Sequence, residues 1–336
     1  MKKFISIGEA LIDFIPNIKG EKLKNVDGFK RVAGGAPSNV AGAVAKLGGN
    51  SIVLTKLGND SFGDYIVDTL NECNINTEYI KRTDEFDTSL AFVSLTNDGD
   101  REFKFYRKTA ADLQYSEDDI PENILENTGI IHFCSVDLVE SPMKNAHKKL
   151  IRMAKDKNVL VSFDPNLRFM LWDDKDELRK TVNEFIKYAD ILKISDDELE
   201  FITGKNDIKD ALPELFSFGC SMVIYTLGAD GAKLYLKDSF MKKYIKAGGY
   251  KVDVVDTTGA GDSFIGAFLY RILKSEHDIN DILYDDLKEY LDFSNLYAAS
   301  VTTKPGALAS MVSIDELEIL KDKINDTDNK TEIVYI

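Results

Sequence analysis

Short apolar runs recur along the chain, separated by longer stretches in which apolar residues return every three or four positions. The runs Phe4–Gly8, Ser51–Leu54, Ile130–Phe133, Val159–Phe163, Ile191–Ile194 and Met222–Thr226 are mostly apolar, with apolar residues on both faces, as in buried strands. The helical rhythm between them predicts helices over Pro37–Leu47, Phe62–Cys73, Pro142–Asp156, Asp176–Tyr188 and Asp207–Phe218. Ser141-Pro142 marks one start clearly, a capping hydroxyl followed by proline at the first helical position. Strand alternating with helix predicts an α/β fold, a mostly parallel sheet with helices on both faces. After Asp315 the pattern predicts a helix, a polar linker and a loose strand over Thr331–Ile336.

Two segments break the rhythm. About residues 9–33 and 89–108 carry short alternating strands without crossover helices. In the second, period-two alternation puts Phe103, Phe105 and Arg107 on one face and Lys104, Tyr106 and Lys108 on the other. An arginine sharing a face with two phenylalanines suits a flap over a polar ligand. The expectation is one domain spanning 1–336, with a small antiparallel β lid inserted in it.

Composition narrows the function. The 336 residues are 44% hydrophobic with only 7 prolines, enough to build a core. The net charge of −15 argues against a nucleic-acid partner, which needs a basic surface. Three cysteines make no disulfide framework and fit a reducing compartment. The first residues, MKKFISIGEALIDF, hold too short an apolar run for a signal peptide, and no stretch is long enough for a membrane span. A cytoplasmic protein is expected.

The strongest local signal is Asp256-Thr257-Thr258-Gly259-Ala260-Gly261-Asp262-Ser263-Phe264, which runs into an apolar helical stretch over Ile265–Leu273. Three residues with almost no side chain at a helix start leave free N–H groups for an anion. Asp262 at that spot would repel a phosphate, unless its task is to take a proton from a hydroxyl attacking the phosphorus. A helix-capping aspartate after a tight turn explains the same residues, and the nonapeptide alone leaves both readings open. Gly34-Gly35-Ala36-Pro37-Ser38-Asn39 lets backbone approach a ligand and offers Asn39 as donor and acceptor; alone, it reads as a loop before a helix.

Together and in this order, the two segments resemble the paired signatures of the ribokinase (PfkB) family of sugar and nucleoside kinases, over about Lys3 to Met311. The resemblance implies a ribokinase-like fold, with ATP and Mg²⁺ taking part. It implies that Asp262 is the general base and that the backbone of Gly259, Ala260 and Gly261 is the anion hole for the γ-phosphoryl group. Glu198, in Lys193-Ile194-Ser195-Asp196-Asp197-Glu198, matches the family's metal motif and would hold Mg²⁺ through water; Ser195 stands where asparagine is usual. A first-turn acid favoured by the helix dipole is the plain alternative for Glu198. Thr226, Gly228 and Gly231 resemble the nucleotide turn, Asn295 the residue beside the adenine, and Lys193 a phosphate contact. A possible K⁺ or other monovalent cation would meet Asp256, Thr258, Val301, Lys304, Gly306 and Ser310.

For the acceptor, the resemblance points to Asp13, Gly34, Gly35, Asn39, Phe105, Arg107 and Arg168. Gly-Glu-Ala-Leu-Ile-Asp-Phe, Phe-Tyr-Arg and Asp-Pro-Asn-Leu-Arg look like fructokinase members, implying transfer to the 6-hydroxyl of D-fructose. The competitor is 2-keto-3-deoxygluconate, whose carboxylate two arginines would suit. A non-catalytic sugar or nucleotide sensor is the reading from another class. Family members often pair through the lid, so a homodimer is expected. The histidines show no ligand spacing, and no Gly-x-Gly-x-x-Gly follows the first strand.

Overall fold

The computed structural model describes all residues except 19, 96–100, 276, 280, 322–323 and 325–329, and only the backbone of 94, 95 and 101–103. In chain order the strands are β1 (Lys3–Ile7), β2 (Leu11–Pro16), β3 (Phe29–Gly34), β4 (Asn50–Leu54), β5 (Lys56–Gly58), β6 (Lys81–Thr83), β7 (Leu90–Leu95), β8 (Arg101–Tyr106), β9 (Thr128–Cys134), β10 (Leu160–Asp164), β11 (Ile191–Ser195), β12 (Met222–Thr226), β13 (Ala232–Leu236), β14 (Lys243–Ala247) and β15 (Thr331–Tyr335). The helices are α1 (Ala36–Lys46), α2 (Ser61–Glu72), α3 (Pro142–Asp156), α4 (Lys175–Ile186), α5 (Asp196–Thr203), α6 (Ile208–Ser217), α7 (Ala260–Lys274), α8 (Tyr284–Thr302), α9 (Ala307–Ser310) and α10 (Ile314–Lys321). Every strand and helix predicted from the apolar rhythm is present, displaced by at most two residues at an end. α3 matches at both ends, with Ser141 Oγ accepting from Lys144 N.

Among the described residues, nine strands form the main sheet in the order β15-β14-β13-β12-β11-β10-β9-β1-β4. From β12 to β4 the pairings are parallel; β13, β14 and β15 add antiparallel strands at one edge. Alternation within each strand splits the core into two layers. On β1, Phe4 joins the layer covered by α1, α2, α7 and α8, while Ile5 and Ile7 join the one covered by α3 to α6. The tail strand is not loose: β15 pairs with β14 from Ala247↔Thr331 to Lys243↔Tyr335. A five-residue ladder offers backbone partners that local sequence cannot announce.

The chain steps from β1 to β4 in one direction and from β9 to β12 in the other. A crevice therefore opens beyond the carboxyl ends of β1 and β9, where ligands bind open α/β sheets. Both lid segments meet above it in a second sheet, β3-β2-β7-β8. The outer pairs are antiparallel, and a parallel β2–β7 pairing joins them because each insertion contributes its own pair. On one face of the lid, Phe14 stacks on Phe92 at 4.7 Å and meets Phe62 of α2 at 5.7 Å. On the other, Leu11, Asp13 and Phe105 line the crevice.

Arg107 departs from the sequence expectation. β8 ends at Tyr106, so the two-residue alternation that put Arg107 beside Phe105 no longer holds. The chain turns inward and buries the guanidinium (5% exposed). There Nε and Nη2 donate to Asp112 Oδ2 at 2.7 and 2.5 Å, Nη1 donates to Val136 O at 3.1 Å, and Nη2 also reaches Asp137. Arg107 thus braces the lid against the end of β9, and it is absent from the cavity lining.

Candidate active site

The crevice is a cavity of about 750 Å³. The ends of β1, β9, β10 and β11 form its floor, the start of α7 one wall and the lid its roof. Gly34 and Gly35 are there for fit. A Cβ on Gly34 would lie 2.4 Å from Asp13 Oδ2, and one on Gly35, whose φ is +109°, would lie 2.5 Å from Glu9 O. Gly35 meets backbone in a positive-φ conformation, so a side chain there is excluded, while at Gly34 a side chain would push the Asp13 carboxylate aside.

Asp262 sits in the first turn of α7, 7% exposed. Gly259, with φ +75°, caps the helix; Gly259 and Gly261 line the cavity, whereas Ala260 does not and its N–H donates to Thr257 O at 3.2 Å. Two amides fasten the carboxylate: Asn39 Nδ2 donates to Oδ2 at 2.8 Å and Asn166 Nδ2 to Oδ1 at 3.0 Å. Burial pushes its pKa above the usual range, partly countered by Asn39, Arg168, Lys193 and Asn166. Asn39 Oδ1 is buried without a hydrogen-bond partner. A sugar hydroxyl would satisfy it, since buried acceptors are rarely left orphaned.

Lys193, on β11, is buried and donates to Asp164 Oδ2 at 2.8 Å. Its ammonium lies 3.4 Å from where a Cβ on Gly261 would be, beside the first turn of α7. Glu198 turns inward at the first turn of α5, its Oε2 accepting from Ser195 N at 3.0 Å and its Oε1 from Leu167 N at 2.8 Å. Both the capping role and the cavity-facing role of Glu198 are therefore present at once. Among the described residues no three His, Cys, Asp or Glu side chains converge as a metal cage. An acid already holding two backbone amides, with lone pairs to spare, fits Mg²⁺ reached through water and held mainly by nucleotide oxygens.

The remaining sequence candidates fall into two places. Ser195, Thr258 and Arg168 line the cavity with the residues above. Thr226, Gly228, Gly231 and Asn295 do not; they lie around the end of β12 and the start of the 247–249 loop. A Cβ on Gly231 would lie 2.1 Å from Ala247 O, and Asn295 Nδ2 donates to Ala247 O and Gly248 O at 3.2 and 3.0 Å. In the proposed cation set, Asp256 joins two loops: its Oδ1 accepts from Thr258 N and Oγ1 at 2.9 and 2.6 Å, its Oδ2 from Gly306 N at 2.9 Å. Val301 and Ser310 are buried nearby in sequence, and Lys304 is exposed.

Sequence reasoning assigned no role to Asn166, Asp164 or Glu9. Asn166 and Asp164 stand inside the quoted Asp-Pro-Asn-Leu-Arg run directly after a strand, which was the available signal. Glu9 lines the cavity at 2% exposure, its Oε1 accepting from Ala36 N at 2.8 Å. Burial and the neighbouring Asp137 hold its carboxyl well above the usual range.

An alcohol brought to a carboxylate beside the start of a helix and a buried ammonium can receive a phosphoryl group. Fold and site thus define a phosphotransferase with an alcohol acceptor. The model of the pfkB family carbohydrate kinases matches residues 1–314, and the chain belongs to that family. It is 39% identical to Fructokinase-2 of Zea mays over 323 residues, 96% of this chain and 94% of that one. To Fructokinase-2 of Solanum lycopersicum it is 40% identical, over 94% of this chain and 95% of that one. Among solved structures it resembles a fructokinase with bound ATP from Xylella fastidiosa (30% identity, TM-score 0.86, 96% and 98% of the chains covered). It likewise resembles a fructokinase double mutant from Vibrio cholerae O395 in a fructose-, ADP- and potassium-bound form (32% identity, TM-score 0.84, 95% and 98% covered).

Proposed function

We propose that the protein is a fructokinase that transfers the γ-phosphoryl group of ATP to the 6-hydroxyl of D-fructose. The observation that carries the reading is Asp262, a buried carboxylate in the first turn of α7 held by two neutral amides. Asp262 takes the proton of the 6-hydroxyl as its oxygen attacks the γ-phosphorus. The backbone at Gly259, Ala260 and Gly261, with Lys193, meets the transferring group. Asp13 and Asn39 bind the other hydroxyls, and Phe105 of the lid covers the sugar and excludes water. Glu198 would hold Mg²⁺ through water, and the ion would supply charge neutralisation to the phosphates of the nucleotide. Asp256 and Thr258 are suited to a monovalent cation such as K⁺, with backbone oxygens at Val301, Lys304, Gly306 and Ser310.

Arg107 bears on the acceptor. Its charge is met by Asp112 and Asp137, leaving Arg168 as the arginine on the cavity among the described residues. That favours a neutral ketose over 2-keto-3-deoxygluconate, whose carboxylate the arginine pair was expected to meet. The three cysteines are free and buried, which supports a cytoplasmic setting. Among the described residues no helix is long and apolar enough to cross a membrane. A homodimer through the lid is supported by its outer strands β3 and β8 and by Tyr106, 61% exposed; sedimentation analysis reads it directly.

The deciding experiment follows ADP release with ATP, Mg²⁺ and fructose, 2-keto-3-deoxygluconate, ribose, adenosine or tagatose. Fructose is expected to give the highest kcat/KM. Asp262→Asn is expected to lose about 10²- to 10⁴-fold in turnover while still binding ATP. Absence of turnover with every sugar would leave the sensor reading standing.

A further inference from the structure

The loop leaving β10, residues 164–168, touches one functional group after another. Asp164 accepts from Lys193, Asn166 donates to Asp262, Leu167 N donates to Glu198, and Arg168 lines the cavity. Its backbone is pinned in turn, because Ser135 N and Oγ both donate to Pro165 O, at 3.0 and 2.5 Å. In the middle, Asn166 holds a φ of +45°, in the left-handed region that asparagine tolerates better than most residues. A residue bent that way, clamped on both sides, has little freedom in where its side-chain amide points.

The amide points at the base. Each oxygen of Asp262 receives one amide proton, from Asn39 on α1 and from Asn166, so each keeps a lone pair for the substrate. Both donors are uncharged. They fix the rotamer without forming the ion pair that would strip the carboxylate of basicity. The charged or titratable groups around it are Arg168 from the same loop, Lys193 from β11, Asp164 from the end of β10 and the Cys134 thiol from the end of β9. None of these donates a hydrogen bond to Asp262 in the structure. The geometric work falls to the asparagines.

We propose that Asn166 is a positioning residue for the phosphoryl transfer: its amide, set by a left-handed backbone in a clamped loop, aims the Asp262 carboxylate at the acceptor hydroxyl. The inference rests on Asp262 being the base. It also makes residues 164–168 a single device that registers base, phosphate cation and metal acid to one another.

The test uses Asn166→Gly, which keeps the left-handed backbone and removes the amide, and Asn166→Asp, which keeps size and replaces the donor. Each is made in the wild-type chain and in Asp262→Asn, and read by kcat, KM and the pH profile of kcat/KM. In the wild-type chain both are expected to lower kcat about 10- to 100-fold with KM for ATP unchanged. The acid limb should move up by about one pH unit, because a donor to the charged form is gone. In the Asp262→Asn chain the same changes should have no further effect on the residual rate. Equal losses in both backgrounds, or an unmoved acid limb, would overturn the positioning role. Should Asn166→Gly fail to fold, Asn166→Asp carries the same readouts. If Asp262→Asn itself turns over normally, the base assignment fails instead, and the two failures are told apart.

Discussion

Replacing Arg107 with methionine keeps most of the side chain's length and removes its charge. Asp112 and Asp137, 1% and 0% exposed, would then face each other beside Glu9 with no cation between them. In the native protein, burial drives both carboxyls upward and Arg107 opposes it, leaving Asp137 below the usual range and Asp112 above it. Without Arg107 the cheapest relief is to protonate one of them. For an aspartate with an unfolded pKa of about 3.9, that costs about 4 kcal/mol at pH 7, at about 1.4 kcal/mol per pH unit. Removing one partner of a buried pair independently suggests about 3–5 kcal/mol. The sign follows from linkage. A carboxyl whose folded pKa is raised gives full stability below its unfolded pKa and loses it as pH rises, so the deficit of the variant should widen with pH. Urea denaturation at pH 5 and pH 7 is expected to show a loss of about 1.5 and about 4 kcal/mol respectively. Asp112→Asn added to Arg107→Met should recover part of the loss at pH 7. A loss under about 1 kcal/mol, or one equal at the two pH values, would refute the reasoning, and a raised KM for sugar with unchanged stability would restore Arg107 to the substrate site.

With Asp262 as the proposed base, activity should fall on acidification through a group titrating above the ordinary aspartate range, because a base must be ionised and burial raises this carboxyl's pKa; kcat/KM measured from pH 4.5 to 8 reads this limb. Glu198→Gln should raise the Mg²⁺ concentration for half-maximal rate by about 10- to 100-fold while ATP affinity without metal stays put, as metal titrations would report. Gly266→Ala puts a Cβ 2.6 Å from Ala43 Cβ and 2.9 Å from Val40 O, where α7 crosses α1. An added methyl in a helix normally helps, but here overpacking should cost about 1–3 kcal/mol net and lower kcat, since it separates the helices carrying Asn39 and Asp262. Calorimetry and steady-state kinetics on the same preparation check both halves.

Much of the architecture was legible in the chain. Buried parallel strands are apolar on both faces and helices against a sheet are apolar every third or fourth residue, so β1, β4, β9 to β12 and the helices between them leave a local trace. The small strands β5 and β6 and the antiparallel β13 and β14 leave no such trace, and of the long α8 only the acidic start, within Asp281–Glu289, shows as a solvated helix face. Their partly exposed or evenly mixed faces carry little periodic signal, and their pairing partners lie far away in sequence. The paired signatures around Asn39 and Asp262 were readable because glycines at close backbone approaches and a lone acid at a helix start are chemical choices made residue by residue.

What the sequence determined by itself is the set of local elements, the likeness to a sugar-kinase family and the identity of the acid at the start of α7. Tertiary structure alone decided which groups meet that acid. Asn39 and Asn166 are 127 positions apart, yet each gives an amide to the same carboxylate. Tertiary structure also set Arg107 against Asp112 and Asp137 instead of in the cavity lining, because a strand's alternation ends where its ladder ends and a buried guanidinium settles against the nearest carboxylates. Periodicity reports only which side of its own element a residue occupies. Partnership depends on distances across elements, and those exist only after the chain has closed on itself.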